Sequence, residues 1–159
     1  MSKSYPFPAI AGGCRCGGVR YRMETAPLYC YACHCLDCQK STGSAFLVAA
    51  TIEEEYITLI GKIVPQIVPI YTNSTAVCPV CKAAVWTLES RLPGILNIRV
   101  GTLDLPGLMV PDIHVFVDSK VAWVTLPKGA KICRGYLDRS KVWPRSSLAR
   151  LDAHQARLE

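Results

Sequence analysis

The stretch Gly12-Gly13-Cys14-Arg15-Cys16-Gly17-Gly18-Val19-Arg20-Tyr21-Arg22 sets two thiols between two glycine pairs and then runs into alternating sequence. Over residues 17–24, Val19, Tyr21 and Met23 fall on one side of an extended chain and Arg20, Arg22 and Glu24 on the other. This is the pattern of a half-buried strand. Glycines on both sides let the backbone turn sharply, so that amide groups can face the sulfurs. A second thiol pair, Cys78-Pro79-Val80-Cys81, lies about sixty residues downstream. Alone it reads equally as two buried core thiols; with the first pair it completes a four-sulfur set. Four thiolates at about 2.3 Å complete the tetrahedron of a zinc ion and leave no place for a substrate. Cys14, Cys16, Cys78 and Cys81 are therefore expected to hold a structural zinc that staples an early segment to a middle one. Such a site supplies on the order of 10 kcal/mol, comparable with the whole net stability of a domain.

A second cluster reads Cys33-His34-Cys35-Leu36-Asp37-Cys38. Three thiolates within six residues converge on one ion only if the chain loops around it. Three protein ligands with a fourth position free is the usual plan of a catalytic zinc, and the exchangeable ligand here could be a substrate thiolate. Cys30 offers the opposite reading, because CxxC from Cys30 to Cys33 would close a second four-sulfur site. If residues 29–32 are extended, positions an odd number apart point to opposite faces, and Cys30 turns away from Cys33. The open site of Cys33, Cys35 and Cys38 is preferred, with Cys30 and Cys133 as ordinary buried thiols. His34 is read as an alternative ligand, a nearby proton carrier, or a solvent-facing loop histidine. The segment Gln39-Lys40-Ser41-Thr42-Gly43-Ser44 is read as a loop that either surrounds an anionic ligand or simply leads into the next strand.

Outside the clusters, short β-branched or aromatic segments recur at 45–52, 56–60, 67–71, 84–88, 95–102, 113–117 and 121–125, separated by turn residues such as Pro93-Gly94 and Pro106-Gly107. The expected class is all-β, built of small antiparallel sheets. Helix is expected only in the tail, capped by Ser146 or Ser147 and carrying Leu148, Leu151 and Leu158 on roughly one face. At 159 residues, 50% hydrophobic and 19% charged, the chain has the makings of a single domain over 1–159 with its core at about 12–125. The opening residues contain no apolar run of signal-peptide length, and no stretch approaches the roughly 20 apolar residues that span a bilayer. A soluble, cytoplasmic protein is expected. In that compartment nine cysteines, an odd number, suit metal better than disulfides. Net charge is +6, but the 18 basic residues are scattered and form no nucleic-acid-binding run.

Taken together, GGCRCGGVRY, CHCLDCQKSTGSAF, CPVC, RVGTLDLP and HVFVDSKVAWV resemble the glutathione-dependent formaldehyde-activating enzyme family, which also includes centromere protein V. The resemblance runs from about Gly12 to Trp123. It implies a β-tent fold related to the Mss4-like zinc proteins. It also implies a structural zinc on Cys14, Cys16, Cys78 and Cys81, and a second zinc on Cys33, Cys35 and Cys38 beside a glutathione-binding surface. The implied activity is that of a carbon–sulfur lyase acting on a thiol adduct, with glutathione and formaldehyde as the thiol and aldehyde. One departure from the family pattern is Lys82, where a glycine commonly follows the last knuckle cysteine; a positive φ or an altered turn is expected there. The alternative function is a noncatalytic zinc module that binds protein or nucleic acid, and a third is a redox protein exchanging thiols within Cys33 to Cys38.

Overall fold

The structure is a computed structural model that describes residues 10–70 and 73–158. Among them lie ten strands and three α-helices. The strands are β1 Ile10–Gly13, β2 Arg20–Met23, β3 Tyr29–Cys33, β4 Leu47–Glu53, β5 Ile57–Leu59, β6 Gln66–Ile70, β7 Asn73–Val77, β8 Ala84–Leu88, β9 Ile95–Arg99 and β10 Ile113–Val115. The helices are α1 Leu36–Thr42, α2 Arg139–Val142 and α3 Arg145–Ala156. The protein is mainly β, as its sequence indicates. A three-stranded sheet runs in the order β1-β2-β5, and a seven-stranded sheet in the order β10-β3-β4-β9-β8-β7-β6. Every pairing is antiparallel except that of β10 with β3, which is parallel.

The register sorts the large sheet into two chemically distinct faces. Directly opposed residues share a face, so Cys30, Ala50, Ile98 and Trp86 form one row across four strands. All four are buried, in a core shared with Val19, Tyr21 and Met23 of the small sheet. The adjacent row, Tyr31, Ala49 and Arg99, points the other way, as does Cys33 two residues along from Tyr31. On that second face α3 covers one end, where Arg150 makes a bidentate ion pair with Glu53 at 2.6 Å and Trp143 stacks on Tyr29 at 5.6 Å. The carboxylate of Glu53 is fully buried, so this pair ties α3 to the sheet through a group that needs its partner. α1 lies over the other end of the same face.

Several expected elements differ. Residues 121–125 form turns, not a strand: the Lys120 ammonium donates to the Val121 and Val124 carbonyls and curls the segment on itself. β-branched composition favoured a strand there, but no edge among the described residues pairs with it. The 95–102 strand stops at Arg99 and tightens into a 3-10 turn over Val100–Thr102. The tail helix forms, but neither serine caps it. Pro144 holds the N-cap position, where its fixed φ suits the entry, and the Ser147 hydroxyl donates to Leu28 O at 2.7 Å. Leu158 lies beyond the helix end. Tyr71, the last residue of the expected 67–71 strand, lies outside the described residues. Three strands fall outside the expected segments: β1, β7 and β3, the last considered only as a condition on the direction of Cys30. No helix among the described residues is long and apolar enough to cross a membrane.

Candidate metal centres and the cavity beside them

Two hairpins build the first thiol group. β1 leads into Cys14, the chain turns through Cys16 and Gly17, and β2 returns; β7 leads into Cys78, the chain turns through Cys81 and Lys82, and β8 returns. Each turn closes on itself through backbone bonds, Cys14 N–H to Val19 O at 3.0 Å in one and Cys78 N–H to Ala83 O at 2.9 Å in the other. Gly17 takes φ 76° and Lys82 takes φ 61°, so the non-glycine residue does adopt the left-handed conformation expected of it. Gly18 lies against Ile63, whose side chain would have to shift to admit a Cβ, which would otherwise lie 2.4 Å from Cδ1.

The result brings Cys14, Cys16, Cys78 and Cys81 together, with all four sulfurs within 4.8 Å of one another. Cys14 and Cys16 Sγ are 3.4 Å apart, and Cys16 and Cys78 Sγ 3.7 Å. A tetrahedron with ligands at about 2.3 Å has edges of about 3.8 Å, so the donor set fits a zinc ion. Val19 N–H points at Cys14 Sγ at 3.2 Å, and the backbone N–H of Ala83 holds the Cys81 thiol down at about 6. Because Cys14 and Cys16 belong to the small-sheet hairpin and Cys78 and Cys81 to the large-sheet hairpin, any ion bound here would pin one sheet to the other. The Arg20–Asp104 pair, at 2.7 and 2.5 Å, and the bond between Tyr21 OH and Thr102 Oγ1 at 2.6 Å tie the same two regions.

The second group contains Cys33, Cys35 and Cys38, again within 4.8 Å of one another. Cys33 closes β3, Cys35 is the N-cap of α1, and Cys38 lies in its first turn. The cap is a sulfur: Cys35 Sγ accepts from Cys38 N–H at 3.4 Å and sits 3.4 Å from Cys33 Sγ. Hydrogen bonding from Cys38 holds the Cys33 thiol down at about 6 against the opposing effect of burial. The same contact, reinforced by burial, pushes Cys38 up. The helix is locked from its other end by Gly43, at φ 63°, whose N–H reaches Gln39 O, and by Thr42 Oγ1 donating to Cys38 O at 2.7 Å. Residues 39–44 thus form helix and C-cap, not the loop that sequence suggested. Short polar residues that disfavour helix in isolation are here spent on backbone carbonyls.

Cys30 is absent from this group. It sits on the opposite face of β3, with no exposure, inside the core shared by the two sheets. His34 is also fully buried, which rules out the solvent-facing position. Its Nε2 lies 3.0 Å from His114 Nδ1 on β10, and its ring packs on Phe46 at 5.0 Å. His34 Nδ1 has no hydrogen-bond partner among the described residues. Burial, then the His114 and Lys120 charges, push the His34 imidazole down to about 4, so it is neutral at physiological pH. His34 is not among the clustered ligand atoms; of its readings, that of a histidine beside the site remains.

Two residues near the second group escaped sequence reading. Tyr31 shares a face with Cys33, and burial together with the nearby Cys33 and Cys38 thiols pushes its phenol up. Arg99, also on this face, reaches α1 with one N–H to Ser41 O at 3.4 Å. The signal for Arg99 was a single charged residue ending a buried, mostly apolar strand, Ile95-Leu96-Asn97-Ile98. Two cavities flank α1. One of about 650 Å³ is lined by Gln39, Lys40, Ser44, Phe46 and Trp123. The other, of about 500 Å³, is lined by Ser41, Thr42, Phe46, Arg99, Val100 and Met109.

A family description, "Glutathione-dependent formaldehyde-activating enzyme", matches residues 9–119. A curated relative from Halomonas elongata, named for the same role, is 22% identical over 142 residues, covering 82% of this chain and 90% of its own. A solved structure from Rhodobacter sphaeroides matches with a TM-score of 0.45 and 15% identity over 77% of this chain and 98% of that one. The family match takes in both thiol groups, both knuckle hairpins and Arg99, and on it the chain belongs to the glutathione-dependent formaldehyde-activating enzyme family.

Proposed function

We propose that the chain is a zinc-dependent enzyme that makes and breaks the carbon–sulfur bond of a thiol–aldehyde adduct, with glutathione and formaldehyde as thiol and aldehyde. The observation that carries this reading is the isolation of Cys33, Cys35 and Cys38 from Cys30. A three-sulfur donor set with its potential fourth member turned to the other face of β3 leaves one coordination position for an exchangeable ligand. Cys33, Cys35 and Cys38 would hold this ion, and Cys14, Cys16, Cys78 and Cys81 a second, structural one. The donor chemistry of both groups fits zinc. When bound at the three-cysteine site, the metal supplies Lewis acidity that lowers the pKa of a thiol or polarises an aldehyde oxygen.

The protein's own residues then have defined tasks. α1 holds Cys35 and Cys38 rigidly against β3, because its cap and its C-terminal turn are both bonded back to the cysteines' own backbone. Gln39 Nε2 donates to His34 O and Ser119 O, at 2.8 and 3.0 Å, so its amide N–H groups tie the cluster segment to the 117–119 turn. The buried His34, between Cys33 and Cys35 in sequence, packs its ring on Phe46, which lines both cavities beside α1. In the reaction, the thiol sulfur forms a bond to the aldehyde carbon, the carbonyl becomes a hydroxyl, and the thiol proton ends on that oxygen. In reverse, the carbon–sulfur bond breaks and the proton returns to sulfur.

Consumption of free thiol on mixing glutathione with formaldehyde tests this directly. The zinc-loaded protein is expected to accelerate it over the uncatalysed rate. Cys35→Ser should remove the acceleration while keeping the circular dichroism of the parent. A zinc-loaded parent with no acceleration for any thiol and small aldehyde would sink the reading.

A further inference from the structure

Arg99 is a partly buried cation that the protein does not neutralise. Arg20, Arg22, Arg134, Arg150 and Arg157 each have a carboxylate partner. Arg99 forms no ion pair among the described residues. A guanidinium carries five N–H donors; here one makes a long bond to Ser41 O at 3.4 Å, and the buried Nε–H has no partner among the described residues. Burial pushes its pKa down, and no carboxylate among the described residues offsets that desolvation. A desolvated charge with unmet donors is costly unless something supplies the missing acceptors.

Its location says what could. Arg99 stands on the same face of the large sheet as Cys33, two strands away across β4, and under the last turn of α1, whose first turn holds Cys38. It lines the 500 Å³ cavity together with the polar Ser41 and Thr42 and the apolar Phe46, Val100 and Met109. A planar fork of donors at the wall of a cavity with an apolar lining suits a carboxylate, which it can bind through two parallel hydrogen bonds.

We propose that Arg99 and this cavity form a carboxylate-binding subsite, so that the thiol accepted at Cys33, Cys35 and Cys38 is one bearing an acidic group. The inference rests on the proposed function and goes beyond it by assigning a residue to substrate selection. Arg99 is a positioning residue: it anchors the far end of the ligand while the thiol end reaches the cysteine cluster.

The test is calorimetric titration of the zinc-loaded full chain with glutathione and with glutathione diethyl ester, which keeps the thiol and lacks both carboxylates. The parent is expected to bind glutathione about 10-fold or more tightly than the ester, the size of one charge-assisted bidentate contact. Arg99→Met should bind the two alike, with the parent's zinc content and circular dichroism, and Arg99→Lys should recover part of the preference. The same charge change at the exposed Lys62, Lys62→Met, should leave the preference intact, which separates a local contact from the general field of a basic protein. Equal binding of acid and ester by the parent overturns the proposal and leaves the proposed function standing. So does an Arg99→Met protein that keeps its preference, or one that loses zinc, which would make Arg99 a counter-charge for the thiolates. Failure of the parent to bind either compound overturns this proposal and the proposed function together.

Discussion

Cys30 and Cys33 are three residues apart on one extended strand, and that spacing alone decides whether the second thiol group is open or closed. β3 keeps its pleat through both positions, so Cys30 enters the core beside Ala50 and Ile98 while Cys33 joins Cys35 and Cys38. Replacing Cys30 by Ala should therefore cost stability, about 1–2 kcal/mol for a small buried group, yet leave the metal content of the purified protein unchanged. Elemental analysis checks this; loss of one ion per chain would place Cys30 in a metal site. At Lys82 the prediction has the opposite sign. A left-handed conformation costs an L-residue roughly 1–2 kcal/mol, and Lys82→Gly should raise stability by about 1 kcal/mol in chemical denaturation while keeping the turn bond from its N–H to Cys78 O. His34 provides a pH test. It is held neutral in the fold, whereas in the unfolded chain it takes up a proton below about 6.5. Its contribution is fully present above that value and is lost as pH falls toward its folded pKa of about 4. Between about pH 6.5 and 4, His34→Gln should lose stability less steeply than the parent. Equal slopes would contradict a buried neutral imidazole.

At the scale of elements, the parts of the fold legible in sequence are those whose signal is local. The alternation around Tyr21 marked β2, the compact run Ala84-Val85-Trp86-Thr87-Leu88 marked β8 with its observed limits, and the odd spacing of Cys30 and Cys33 marked the two faces of β3. What could not be read depends on distant partners. β7 is the polar run Asn73-Ser74-Thr75-Ala76-Val77, a strand because β6 and β8 bracket it. α1 is a seven-residue helix whose cap is a cysteine sulfur, a residue type outside the usual capping set. Residues 121–125 carry β-type composition but pair with no edge among the described residues. α3 is held by chemistry at long range: Glu53 is buried on β4 and its partner Arg150 is 97 residues away. Glu53→Gln should cost about 3 kcal/mol, because it strips the charge partner from Arg150 at a fully buried position. Thermal denaturation should show this with the three-cysteine site still loaded. If α3 were dispensable, the change in stability would stay within about 0.5 kcal/mol.

For the molecule as a whole, the two thiol groups divide the labour by where they sit. The four-cysteine group joins hairpins from two different sheets, so its loss should be a loss of fold: Cys14→Ser is expected to give an expanded, chelator-insensitive chain, whereas Cys35→Ser stays folded. The three-cysteine group lies at the end of β3 and the start of α1, packed against a smaller core cluster of the large sheet, and joins no second sheet. The sequence clusters showed which thiols belong together, but not Arg99, which the sheet topology brings in from β9, nor that the neighbouring His34 is buried. The central claim is that one site is saturated by protein sulfur and the other is not. X-ray absorption at the zinc edge measures it directly. With both sites loaded, seven cysteine sulfurs shared by two ions give about 3.5 sulfurs per zinc in the free protein, rising toward about 4 when glutathione is added. About 4 sulfurs per zinc in the free protein, unchanged by glutathione, would mean that the second site is closed, and the account would be wrong.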